Sequence, residues 1–128
     1  MKIISNLPTL TGTEKQIAWA EKIRQQFVNH QNEQTEFKQG KIDRQIAKGR
    51  DAETATFKAR RDDLKNIRFA LFQSAKLCQF HDTISDLDAL EVFDRSLECI
   101  LAQTDSGWWI DHRDSDSKWI QAAEKISA

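Results

Sequence analysis

The chain has 128 residues, which fits one domain of ordinary size. With 4 glycines, 1 proline and no tyrosine, it lacks the turn residues consumed by a sandwich or barrel of many short strands. Collagen-like, Gly/Ser-linker and Pro-rich classes are excluded as well, and the net charge of −1, taken whole, argues against a strongly charged partner.

Residues 1–10 read as an irregular N-terminal arm, because Pro8 discourages regular structure just before it. Ser5 and Asn6 interrupt the opening apolar residues, so no secretory h-region is expected. The longest apolar-rich segment, residues 69–80, is broken by Gln73, Ser74, Lys76 and Gln79 and is too short to span a membrane. The expected location is the cytoplasm, with no membrane partner.

Thr11 and Glu14 have the capping-box spacing, and Thr13 with Gln16 is an equally good register. From there to about His30, Ile17, Ala20, Ile23 and Phe27 recur at helical spacing, with Trp19 widening the stripe. Trp19 is therefore expected in the core. Residues 35–56 are polar, with Ile42 and Ile46 one turn apart. They predict either an extended helix, which needs partner packing to persist in water, or a mobile segment. Gly40 and Gly49 mark where the helical reading is least secure.

From about Thr56 to Phe80 the apolar pattern returns through Phe57, Leu64, Ile67, Leu71, Ala75 and Cys78. Phe69, Phe72, Leu77 and Phe80 form a second apolar face, which predicts a central helix. After a break at residues 81–83, Ser85 to Asp88 is a cap-like pair. Leu87, Leu90, Phe93, Leu97, Ile100 and Leu101 form the next stripe, ending near Gln103. Trp108–Ile110 predict a short helix, and Asp114 to Ser117 can cap a last helix carrying Trp119, Ile120, Ala123 and Ile126. The expectation is an all-α, single-domain bundle of about four to five helices.

The charges are unevenly distributed. Residues 35–68 hold ten basic and six acidic residues, whereas residues 82–128 hold four basic and eleven acidic ones. Lys58, Arg61, Lys65 and Arg68 fall at helical spacing, as do Lys41, Arg44 and Lys48 upstream. Such ridges suit phosphates or a carboxylate-rich protein surface, although charge runs are usually solvated faces. Trp108 and Trp109 point about 100° apart on a helix, so one of them, Trp108, is a candidate exposed anchor.

Cys78, His81, Cys99 and His112 could ligate zinc, but the cysteines lie on apolar stripes, where buried thiols are the plainer reading. Asp111, His112 and Asp114 could serve a metal-dependent nuclease, yet Asp114 and Asp116 are as readily helix caps. No P-loop, nucleophile elbow or dinucleotide fingerprint is present. No catalytic residue, metal site or cofactor is expected.

Residues 10–24, LTGTEKQIAWAEKIR, and residues 108–113, WWIDHR, resemble a pair of motifs in small proteins of phages and other bacterial mobile elements. The two motifs lie far apart, which suggests that they pack together, with Trp19, Ile23, Trp109 and Ile110 as the natural contact. The resemblance implies a mobile-element origin and brings no catalytic residues. The expected function is a non-enzymatic binding protein whose basic middle meets a host protein or nucleoprotein partner. An inhibitor of a defence system of the anti-CRISPR type fits that origin and size, though no motif specifies it. The alternatives are a nucleic-acid-binding accessory protein that uses the basic ridge, and the metal-dependent nuclease. A homodimer would also support the thin polar helix.

Overall fold

The computed structural model describes residues 3–127, so the first two residues of the expected arm lie outside the described residues. Among the described residues the chain is all-α and carries six α-helices and one 3-10 turn. The helices are α1 (Glu14–Ala47), α2 (Ala52–Ala59), α3 (Arg61–Gln73), α4 (Asp86–Leu101), α5 (Ser106–Asp111) and α6 (Ser115–Ile126).

Of the two cap registers, Thr13 with Gln16 is the one formed. The Thr13 hydroxyl accepts from the Gln16 N–H, and the Gln16 side chain accepts from the Thr13 N–H. From this cap α1 runs unbroken for 34 residues, about 51 Å at 1.5 Å per residue. Its polar half persists as helix because α2 packs against it, burying Ile42 with Ala55 and Ala59. Gly49 (φ 92°) takes the left-handed conformation that lets the chain reverse into α2, whose N-cap is Asp51.

The single helix expected from Thr56 to Phe80 is instead α2 and α3, joined at Arg60, followed by the 3-10 turn Cys78–Phe80. Arg60 is at once the C-cap of α2 and the N-cap of α3, with φ −90° and ψ 11°. The second apolar face is not buried. Phe69, Phe72 and Phe80 are exposed, Phe72 to 59%, and only Leu77 of that set is in the core. The buried face of α3 is Ile67, Ala70 and Leu71. Likewise Leu87, first in the α4 stripe, is 72% exposed.

Two apolar clusters make most of the core. Helices α3, α4 and α6 enclose Ile67, Leu71, Leu77, Phe93 and Ala123. The N-terminal half of α1, α5 and the ends of α4 and α6 enclose Leu10, Ala20, Ile100, Trp109 and Ala122. Trp119 touches both, stacking on Phe93 at 4.6 Å and meeting Phe27 at 6.0 Å.

The segments 10–24 and 108–113 do pack together. The Thr11 N–H donates to the Thr104 carbonyl (2.7 Å), and the Ser106 N–H donates to the Thr11 carbonyl (3.0 Å). Gly12 lies beside Ser106, where an added Cβ would crowd the serine side chain. The contact is made by Ile17, Ile23, Trp109 and Ile110. Trp19 is not part of that apolar cluster and meets the second segment through Arg113, whose guanidinium lies 5.8 Å from its ring centroid. Trp19 lies one step off the buried Ala20 and is 50% exposed, whereas Trp109 is fully buried with its indole N–H donated to the Gln103 carbonyl (3.0 Å). The arm runs back along α1. Asn32 bonds both backbone groups of Ile4, and Arg24 donates to the Pro8 carbonyl (2.6 Å).

Trp109→Ala should therefore cost about 3–5 kcal/mol, and Trp19→Ala less than about 1 kcal/mol, read from urea unfolding midpoints. The caps Asp51 and Asp114 accept hydrogen bonds from Thr54 and Ser117, which hold both carboxyls below their ordinary value of 3.8. A lowered folded pKa contributes stability that is present above the ordinary value and lost as pH falls through the folded one. Replacing both with Asn keeps a capping oxygen and should flatten that part of the acid-unfolding curve.

Candidate functional site

The basic residues fall into two groups once the fold is formed. One group is spent inside the molecule. Lys38, from α1, is buried against the carboxylate of Asp63, from α3. Arg60 donates to the same Asp63 (3.0 Å) and makes two bonds to Asp94 on α4 (2.6 and 3.1 Å). Burial opposes the Arg60 charge, yet the two carboxylates outweigh it and raise its pKa further. Both Lys38 and Arg60 also lie 5.7 Å from the Phe93 ring centroid. Arg68, expected on the binding ridge, clamps the loop before α4 instead. It donates to the carbonyls of His81 and Ile84 (both 3.1 Å) and pairs with Asp86 (2.5 Å).

The other group is unpaired. Among the described residues, none of Lys41, Arg44, Lys48, Lys58, Arg61 and Lys65 is in ion-pair contact with a carboxylate. Lys41 and Arg44 on α1 and Lys58 on α2 line one open cleft of about 200 Å³ with Gln45 and the buried Ala55 and Ala59. The Lys41 ammonium lies 4.6 Å above the exposed Phe37 ring, so part of its stem is held rather than free. This grouping joins residues of two helices, which no single helical spacing records. Lys48 is the C-cap of α1 beyond that cleft. Arg61 and Lys65 lie past the break at Arg60 and are exposed; Lys65 shares its cleft with Asp62, Asp63 and Asp116, which dilute its field.

Trp108 is half-buried. Its indole N–H donates to Gln121 (3.2 Å), and its ring stacks on His112 at 4.7 Å. Asp114 caps α6, Asp111 is exposed, and the His112 Nδ1 contacts the Trp108 carbonyl (2.8 Å). Cys78, expected on a buried stripe, is exposed on the 3-10 turn, and Cys99 is half-buried in the second core cluster. Among the described residues, no three or more His, Cys, Asp or Glu are grouped to hold a metal ion. No helix is long and apolar enough to cross a membrane among the described residues.

Sequence reasoning missed Lys38, Asp63 and Arg60. A signal existed for two of them: Asp63, Ile67 and Leu71 are successive turns of one stripe, and Lys38 is one turn from the buried Ile42. A charge on a buried stripe needs a partner. Compared with known protein families, curated proteins and solved structures, the chain matches none.

Asp63→Ala would leave the Lys38 ammonium buried without its carboxylate and should cost about 3–5 kcal/mol in urea unfolding. The double substitution Lys38→Met with Asp63→Leu removes both charges and should recover most of that loss.

Proposed function

We propose that the chain is a non-enzymatic binding protein of a phage or other mobile element. It acts in the bacterial cytoplasm, and the cations between α1 and α2 grip an anionic surface of a host nucleoprotein complex. Inhibition of a defence complex, in the anti-CRISPR manner, is the role we assign to that contact. One observation carries the reading: Lys41, Arg44 and Lys58 converge on one cleft without a carboxylate, while Lys38, Arg60 and Arg68 are all paired. Unpaired cations held on two packed helices present a fixed pattern to a partner's phosphates or carboxylates. The resemblance of residues 10–24 and 108–113 to mobile-element proteins supplies the biological setting.

The same three cations favour a second reading, an accessory protein that binds nucleic acid directly. Salt dependence separates the two. Three contacted phosphates on a duplex give a slope of log K against log salt of about −2.7. On the first reading, the tagged protein captures its partner from host lysate after nuclease treatment. Lys41→Glu with Lys58→Glu should weaken that capture by about tenfold or more, at unchanged thermal stability. On the second reading, nuclease abolishes capture, and purified DNA or RNA binds at low salt with the steep slope. Undiminished capture by the doubly reversed variant would sink both.

A further inference from the structure

On the side of α1 facing the α5–α6 turn lies an open cleft of about 450 Å³. Trp19, Ile23 and Phe27 form its apolar wall, and Arg113 and Lys118 bring the charge. Lys118 is in the first turn of α6 and is only 2% exposed. Its ammonium donates to the Asp114 carbonyl (3.0 Å) and lies 5.7 Å from the Phe27 ring centroid.

An ammonium has three N–H donors, and a buried one is normally met by a carboxylate. Among the described residues, none is in ion-pair contact with Lys118. The Asp114 carboxylate is taken up by the Ser117 N–H (3.1 Å) and hydroxyl (2.7 Å). The positive end of α6 also opposes a cation at this position. Burial pushes the Lys118 pKa down, with Asp114 opposing only in part. Lys38, the other buried lysine, shows what this chain does with a buried ammonium that serves the fold: it supplies Asp63. Arg113 adds a second cation at the cleft mouth. It donates to the Ile110 carbonyl (2.9 Å) and sits 5.8 Å above the half-exposed Trp19 ring.

We propose that this cleft binds a small organic anion. Its carboxylate or phosphate meets Lys118 and Arg113, and its flat apolar body lies along Trp19, Ile23 and Phe27. The site is separate from the Lys41, Arg44 and Lys58 cleft and does not rest on the function assigned to it.

The test titrates the full chain with phenylacetate and with adenosine monophosphate, following the Trp19 indole N–H by NMR, assigned through Trp19→Phe. Inorganic phosphate and the neutral phenylacetamide are controls. Saturable shifts from one or both organic anions, exceeding both controls, are expected, and the stronger of the two identifies carboxylate or phosphate as the preferred head group. Lys118→Met and Arg113→Gln should each weaken binding about tenfold, while Lys41→Glu with Lys58→Glu leaves it unchanged. Without ligand, Lys118→Met should raise the melting temperature, because it removes a buried charge that no carboxylate meets. A lowered melting temperature would make Lys118 a structural strut and overturn the proposal. So would the absence of saturable binding by either organic anion, or equal binding of the amide.

Discussion

The fold turns on a chain of charges that runs from the buried Lys38 and Asp63 through the half-buried Arg60 to the exposed Asp94. It is the point at which α1, the α2–α3 junction and α4 are all fixed to one another. Neither Lys38 nor Asp63 could be buried alone, since an isolated charge in a low-dielectric interior is costly. Together the four charges tie the polar half of α1 to the α2–α3 corner and to α4. Lys38 gives the second half of α1 a tertiary anchor that its sparse apolar residues do not provide, and Arg60 sets the corner at which α2 ends and α3 begins. Phe93 lies under both cations and stacks in turn on Trp119, so the ionic chain and the main apolar cluster share a side chain.

This arrangement decides which charges remain for other uses. A count along the sequence makes residues 35–68 net basic, but the folded chain spends its cations unequally. Those on the inner side of α1 and at the α2–α3 corner neutralise carboxylates, including Asp94 from the acidic C-terminal region. Those on the outer side of α1 and α2 do not. The near-zero net charge is thus partly an internal cancellation and partly a division of surfaces, with Lys41, Arg44 and Lys58 left outside any ion pair where α1 and α2 meet.

Much of the architecture was legible in the sequence. The helical class and the caps at Thr13, Ser85 and Asp114 follow from local pattern, whereas the contact between residues 10–24 and 108–113 follows from the pairing of the two motifs in the resemblance. What was not legible depended on tertiary choice. A stripe specifies which residues can be buried, not which are, so Phe69, Phe72 and Leu87 carry the pattern of a core and face solvent. Trp19 widens the stripe, yet the smaller Ala20 takes the buried position and lets α5 approach closely. The break at Arg60 has no glycine or proline to announce it, because the geometry there is held by a side chain bonded to a helix 34 residues away. The candidate surface was half visible: Lys41 and Arg44 share a helical ridge, but Lys58 joins them only through the reversal at Gly49.

That reversal has a thermodynamic consequence. Beyond Lys38, the end of α1 and all of α2 are held to each other by a cluster of only Ile42, Ala55 and Ala59, far less apolar surface than the rest of the molecule buries. Opening of this hairpin-like end therefore exposes little apolar surface, and it disperses Lys41, Arg44 and Lys58. On the proposed function, occupancy by an anion and closure of the α1–α2 end are linked equilibria. Each favours the other, so the tightness of the proposed grip depends on how firmly Ile42, Ala55 and Ala59 hold two helices together.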